Sequence, residues 1–160
     1  MLRNLIRSLF LLILTAAAAE AISPTPLPTA ALVAEDGTSV LASQLGREGQ
    51  WFLVLIRSGS GAGEALLDFL SGLEQPLSAD KLVIVVSDAD TKTLSSMRAR
   101  RAPLASASWR SDPGGRLADA LGLKASPALL GVQGGTATWS VTGLPDSSQL
   151  ERMLRGWAGN

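Results

Sequence analysis

Residues 51–64 read WFLVLIRSGSGAGE. Six apolar residues, Trp51 to Ile56, run without a polar break and end at Arg57. A short unbroken apolar run bounded by turn residues is the pattern of a strand buried on both faces. The next such run is Leu82 to Val86, LVIVV. Between the two, Leu66, Phe69, Leu70 and Leu73 recur at i, i+3, i+4 and i+7, which makes one apolar stripe of a helix. Gly72 weakens the end of that helix and Pro76 stops it. Residues 51–86 therefore form a βαβ unit, with parallel strands and a right-handed crossover.

On the C-terminal side, Thr91 to Arg101 reads as a polar helix. Arg98, Arg100 and Arg101 lie near its C-terminus, where cations favour the helix dipole; the simplest reading is a solvated helix end. Ala105 to Trp109 suggests a short strand, Asp112 to Gly115 a turn, and Arg116 to Leu121 a short helix closed by Gly122. Ala128 to Val132 and Thr136 to Val141, joined through Gly134-Gly135, make a hairpin. A last helix begins near Asp146. Ser148 and Glu151 have capping-box spacing, and Leu150, Met153, Leu154 and Trp157 give it an apolar stripe.

On the N-terminal side, Ala31 to Val33 and Thr38 to Val40 flank the turn Asp36-Gly37, and Ser43 to Leu45 fits one helical turn stopped at Gly46. Residues 22–30 carry prolines at 24, 26 and 28 and read as an extended tether. Residues 1–21 read as a secretory signal. Arg3 and Arg7 precede an apolar stretch from Ser8 to Ala19, and Ala19-Glu20-Ala21 offers small residues for cleavage. That stretch is short of the roughly 20 residues a membrane span needs; an uncleaved N-terminal anchor is the other reading. The expected product is a periplasmic or secreted domain over residues 31–158, with no membrane span after cleavage. Trp51, Trp109, Trp139 and Trp157 fall at element starts or on apolar faces, where packing is their expected role.

Of 160 residues, 46% are hydrophobic and 18% charged, the composition of a globular chain. Lys plus Arg and Asp plus Glu each number 14. Without Arg3, Arg7 and Glu20, 12 basic and 13 acidic residues remain, a net charge of −1. No basic field exists to hold nucleic acid. Cys, His and Tyr are all absent. That excludes disulfides, thiol redox chemistry, thiolate or imidazole metal sites and every mechanism with a His base.

The order of elements, with the residues that fill it, resembles the thioredoxin-like redoxins, in particular exported thiol-disulfide reductases and the alkyl hydroperoxide reductase/thiol-specific antioxidant group. Residues 35–45 look like the opening hairpin and short helix of that family. Trp51 to Ile56 matches the strand that leads to its active site. Residues 111–123 are similar to its D-x-x-G-x-x-A-x-x-x-G-V segment, and residues 124–132 to the segment bearing its cis-proline, here Pro127. The resemblance implies an α/β, three-layer thioredoxin-like fold: a mixed central sheet, helices on both faces and an N-terminal β-hairpin. The family places Cys-x-x-Cys, or one peroxidatic Cys, where the first βα loop becomes a helix. Those two positions fall here on Gly61 and Glu64, or on Ser60 and Gly63. Neither register supplies a sulfur, so the family's redox chemistry does not carry over.

What the resemblance leaves is a vestigial groove, formed by Ser58, Gly59, Ser60, Gly61, Ala62, Gly63 and Glu64 and faced by Ser126 and Pro127. Its exposed peptide groups suit an extended peptide paired at Ser126. The expected function is a redox-inactive protein-binding or scaffold module for another extracytoplasmic protein, with no catalytic residue, no metal and no cofactor. The alternative is a non-thiol enzyme or a small-ligand or nucleotide-binding protein. It would use the Gly-rich loop with Asp88 as the ribose-binding acid, or Asp88 and Asp90 as paired carboxylates. Against a dinucleotide site, the spacing is G-x-G-x-G, and Glu64 stands where a third glycine belongs.

Overall fold

The computed structural model describes residues 23–45 and 48–158. The expected signal segment and the stop at Gly46 lie outside the described residues. Eight strands make one sheet: β1 (Thr25–Pro26), β2 (Ala31–Val33), β3 (Ser39–Leu41), β4 (Gln50–Arg57), β5 (Leu82–Ser87), β6 (Ser108–Asp112), β7 (Ala128–Gln133) and β8 (Thr136–Thr142). Their order across the sheet is β1-β8-β7-β4-β5-β6-β2-β3. β4, β5 and β6 are parallel, and β7 lies antiparallel to β4. The helices are α1 (Gly61–Ser71), α2 (Thr91–Ala99), α3 (Arg116–Ala120) and α4 (Ser147–Ala158).

The unbroken apolar runs are explained by two separate cores. Phe52, Val54 and Ile56 of β4, with Leu82, Ile84 and Val86 of β5, face α1, α2 and α4. Trp51, Leu53 and Leu55, with Val83 and Val85, face Leu117 of α3 and the N-terminal segment. Side chains alternate along a strand, so each central strand serves both cores. This is the mixed, three-layer sheet expected from the sequence.

Several local expectations need correction. Against the sheet, α1 buries Leu66, Leu67 and Leu70, while Phe69 and Leu73 are half-buried; the buried face is turned toward Leu67 relative to the stripe read from the sequence. The strand expected at 105–109 starts at Ser108, because residues 102–104 form a 3-10 turn whose Leu104 carbonyl accepts the Trp109 indole N–H at 2.9 Å. Asp146, not Ser148, caps α4: its carboxylate accepts the N–H groups of Ser148 and Gln149 at 3.0 and 3.2 Å. Extended as expected, the proline-rich segment is also part of the sheet. Thr25 and Pro26 pair with β8 beside Ala137 and Thr136, and Leu27 is buried. The Arg cluster is more than a solvated end. Arg98 pairs with Glu35 at 2.9 Å, and Arg101 is 7% exposed.

All four tryptophans pack. Trp51 and Trp109 are buried, and Trp139 stacks edge-on with Phe52 and Trp157 at 6.3 and 5.8 Å. Trp139 lies directly over Gly131, where an added Cβ would stand 2.1 Å from the indole nitrogen. The neighbouring strand has no room there for any side chain.

Candidate functional site

β4 leaves the sheet at Arg57, and the chain enters α1 within three residues. The Ser60 N–H donates to the Arg57 carbonyl at 3.1 Å, which closes the turn. Ser60 is the N-cap of α1: its hydroxyl accepts the Gly63 N–H at 3.3 Å and its carbonyl the Glu64 N–H at 2.9 Å. So the expected loop is shorter than its glycines suggest. Only Ser58, Gly59 and Ser60 are loop; Gly61, Ala62 and Gly63 form the first helical turn. Gly59 has φ of 73°, the left-handed region that glycine tolerates. The N–H groups of Gly61 and Ala62 have no acceptor among the described residues.

A Cβ built on Gly63 would lie 3.5 Å from the Ser60 Cβ, within the separation two bridged cysteines need. The Ser60 and Gly63 positions thus have a Cβ separation that a disulfide spans, although a Cβ at Gly63 would also press on the Ile56 Cβ at 3.1 Å. Glu64 is not free for a ligand. It pairs with the buried Arg101 guanidinium, which also reaches Asp68 at 3.0 Å. Glu64 and Asp68, one turn apart on α1, clamp the chain just beyond α2.

The Ser126–Pro127 peptide is cis. Pro127 is buried, its carbonyl accepts the Gly143 N–H at 2.7 Å, and Ser126 is exposed ahead of β7. Beside Ser126 opens a cavity of about 320 Å³, lined by Arg57, Ser87, Asp88, Asp119 and Lys124 among others. Ser126 is the one residue of the expected groove that lines it; residues 58–64 do not. The reason lies in strand alternation: Leu55 and Arg57 point to the α3 face, whereas α1 covers the opposite face. Ser87, Asp119 and Lys124 were missed by sequence reasoning. The signal available was Ser87, a hydroxyl that ends an otherwise apolar strand.

Asp88 and Asp90 do not act as a pair. Asp90 caps α2, accepting the Thr93 N–H at 2.7 Å, and hydrogen bonds from the Thr93 side chain and backbone hold its carboxyl below the usual range. Asp88 has φ of 59° and meets Arg57 at 3.5 Å. Behind it lies the fully buried Asp112. Its carboxylate accepts the N–H groups of Arg116 and Leu117 at 3.1 and 2.9 Å, while burial pushes its pKa up. No group of three or more His, Cys, Asp or Glu that could hold a metal occurs among the described residues. The nucleotide alternative also lacks its crevice, because β4 has an antiparallel neighbour on one side rather than the diverging parallel strands of a dinucleotide fold.

No family model matches the chain, and no curated protein matches it. Solved structures do. A Chlorobium tepidum protein described as a thiol:disulfide interchange protein DsbE matches at a TM-score of 0.61 and 17% identity, covering 87% of this chain and 99% of that one. A secreted Mycobacterium tuberculosis disulfide oxidoreductase, homologous to E. coli DsbE, matches at 0.61 and 15%, covering 80% and 96%. A DsbF homologue from Corynebacterium diphtheriae matches at 0.61 and 12%, covering 83% and 87%. Within the described residues no helix is long and apolar enough to cross a membrane. The backbone is thus that of the thioredoxin-like redoxins, on a chain without a single cysteine.

Proposed function

We propose that this chain is an exported, redox-inactive thioredoxin-like module that binds an extended segment of another extracytoplasmic protein where α1 begins and residues 126–127 lead into β7. One observation carries the reading: the turn from β4 into α1 keeps the spacing of a dithiol site while the chain contains no sulfur nucleophile. Thiol exchange needs a thiolate, so what this region still offers is peptide groups. The unengaged N–H groups of Gly61 and Ala62 and the exposed backbone at Ser126 are of that kind. Export is supported by the signal-like residues 1–21 and by similarity to a secreted protein and to an exposed lipoprotein thioredoxin of Streptococcus pneumoniae.

The purified protein is expected to show no thiol-dependent insulin reduction and no peroxidase turnover above a heat-killed control. Partner binding is tested with Gly61→Trp. A Cβ at Gly61 meets nothing within 4 Å, so the variant folds while its indole covers the turn. The reading expects a partner captured from the extracytoplasmic fraction to lose at least tenfold in affinity, about 1.4 kcal/mol, with an unchanged melting temperature. Equal affinity for both proteins would place the binding surface elsewhere.

A further inference from the structure

The cavity beside Ser126 shares that residue with the proposed peptide site but includes none of residues 58–64, and its chemistry is distinct. Its lining is mostly polar, with Ala118 and Leu123 as its half-buried apolar residues. Among its polar lining residues is Ser87, which is 8% exposed and whose side chain can reach into the cavity. Around it stand charges of both signs. Arg57 and Asp88 are paired at 3.5 Å. Lys124 and Asp119, both exposed, have no ion-pair partner among the described residues. Asp88 has a left-handed backbone, uncommon for a residue with a side chain and most often met at turns and functional sites.

We infer that this cavity binds a small zwitterion, a free dipeptide or amino acid with an apolar side chain. Lys124 takes the α-carboxylate, Asp119 takes the α-ammonium, Ser87 bonds a main-chain polar group, and the side chain rests on Ala118 and Leu123. A single-sign ligand is disfavoured because the lining carries charges of both signs. A volume of about 320 Å³ is at the small end of ligand sites, fitting roughly a dozen heavy atoms rather than a nucleotide. The inference stands on the cavity alone and does not depend on polypeptide binding at α1.

The test is calorimetric titration of the purified protein with alanyl-leucine, leucine, N-acetyl-alanyl-leucine, alanyl-leucinamide and the doubly blocked dipeptide. Alanyl-leucine or leucine is expected to bind with Kd of about 1 mM or tighter, and the stronger of the two identifies the source. Blocking either end is expected to weaken binding at least tenfold. Lys124→Gln should abolish the preference for a free carboxylate, Asp119→Asn the preference for a free ammonium, and Ser87→Ala should weaken every ligand. Heat-melting curves establish that each variant is folded. Equal binding of free and doubly blocked dipeptides overturns the inference, as does the absence of saturable binding by both free ligands.

Discussion

Gly131 shows how one residue's lack of a side chain is used. Trp139 of the adjacent strand occupies the space a Cβ would need, and Trp139 in turn stacks on Phe52 and Trp157. Gly131→Ala must push the indole aside and disturb both aromatic contacts. The expected loss is about 3 kcal/mol, read from denaturant unfolding, since overpacking a filled site typically costs 1–3 kcal/mol. A loss below about 0.5 kcal/mol would mean that Trp139 swings clear at no cost. Sequence alone did not show this glycine, because one glycine in an apolar run looks like any small core residue. The same blindness applies to Arg101. Three arginines at a helix end suggested solvent, and only the tertiary fold shows that one of them is buried between two carboxylates of α1.

At the scale of elements, α1 is held by its inner face. Leu67 is fully buried whereas Phe69 is half-buried against the same core. Leu67→Ala is therefore expected to cost about 3 kcal/mol and Phe69→Ala less, about 1–2 kcal/mol, when both are measured by urea titration. The reverse order would show that the helix is rotated about its axis. The existence of this helix, and of both strands around it, was legible because apolar periodicity is strong over 51–86. Its exact face was not, because Leu66, Leu67, Phe69 and Leu70 are all apolar and only packing chooses among them. At two helix caps and at the β2–β3 turn, pH reads out the structure. Asp36, Asp90 and Asp146 all have carboxyls held below 3.8, first by side-chain hydrogen bonds from Thr38, Thr93 and Ser148. A depressed folded pKa gives stability that is present above the unfolded value and is lost as pH falls through the folded one. Asp90→Ala is accordingly expected to lower the melting temperature at pH 7, with a difference that shrinks as the pH falls below 3.8. A difference that stays constant down to pH 2 would show that the carboxylate charge contributes nothing to the cap.

For the whole molecule, the mixed sheet was legible from local signals, namely short apolar strands, one βαβ unit and a terminal hairpin, whereas the order of strands across it, with β1 beside β8 and β2 beside β6, is set by tertiary pairing. The candidate sites were less legible. Ser126 and Ser87 are 39 positions apart in sequence and line one cavity only because β4 lies between β5 and β7. The Ser58–Glu64 stretch drew notice for its glycines, yet half of it became ordinary helix once Ser60 capped the first turn. A sheet whose central strands are apolar on both faces also has a difficulty that an amphipathic sheet avoids. Polarity penalises a one-residue slip when one face is wet; here a slipped strand would still show oil to both sides. Something else must index the pairing. In the β7–β8 hairpin that mark is the notch at Gly131 and the tooth at Trp139. The ladder places them opposite each other, beside an irregularity at Gly131/Val132. If β8 slides by one position in either direction, the indole meets Leu130 or Val132, both of which carry side chains. The hairpin can thus be aligned by shape before either core has closed around it, and a chain misaligned there would be rejected by collision as well as by the turning of the alternate Thr and Ser side chains of β8.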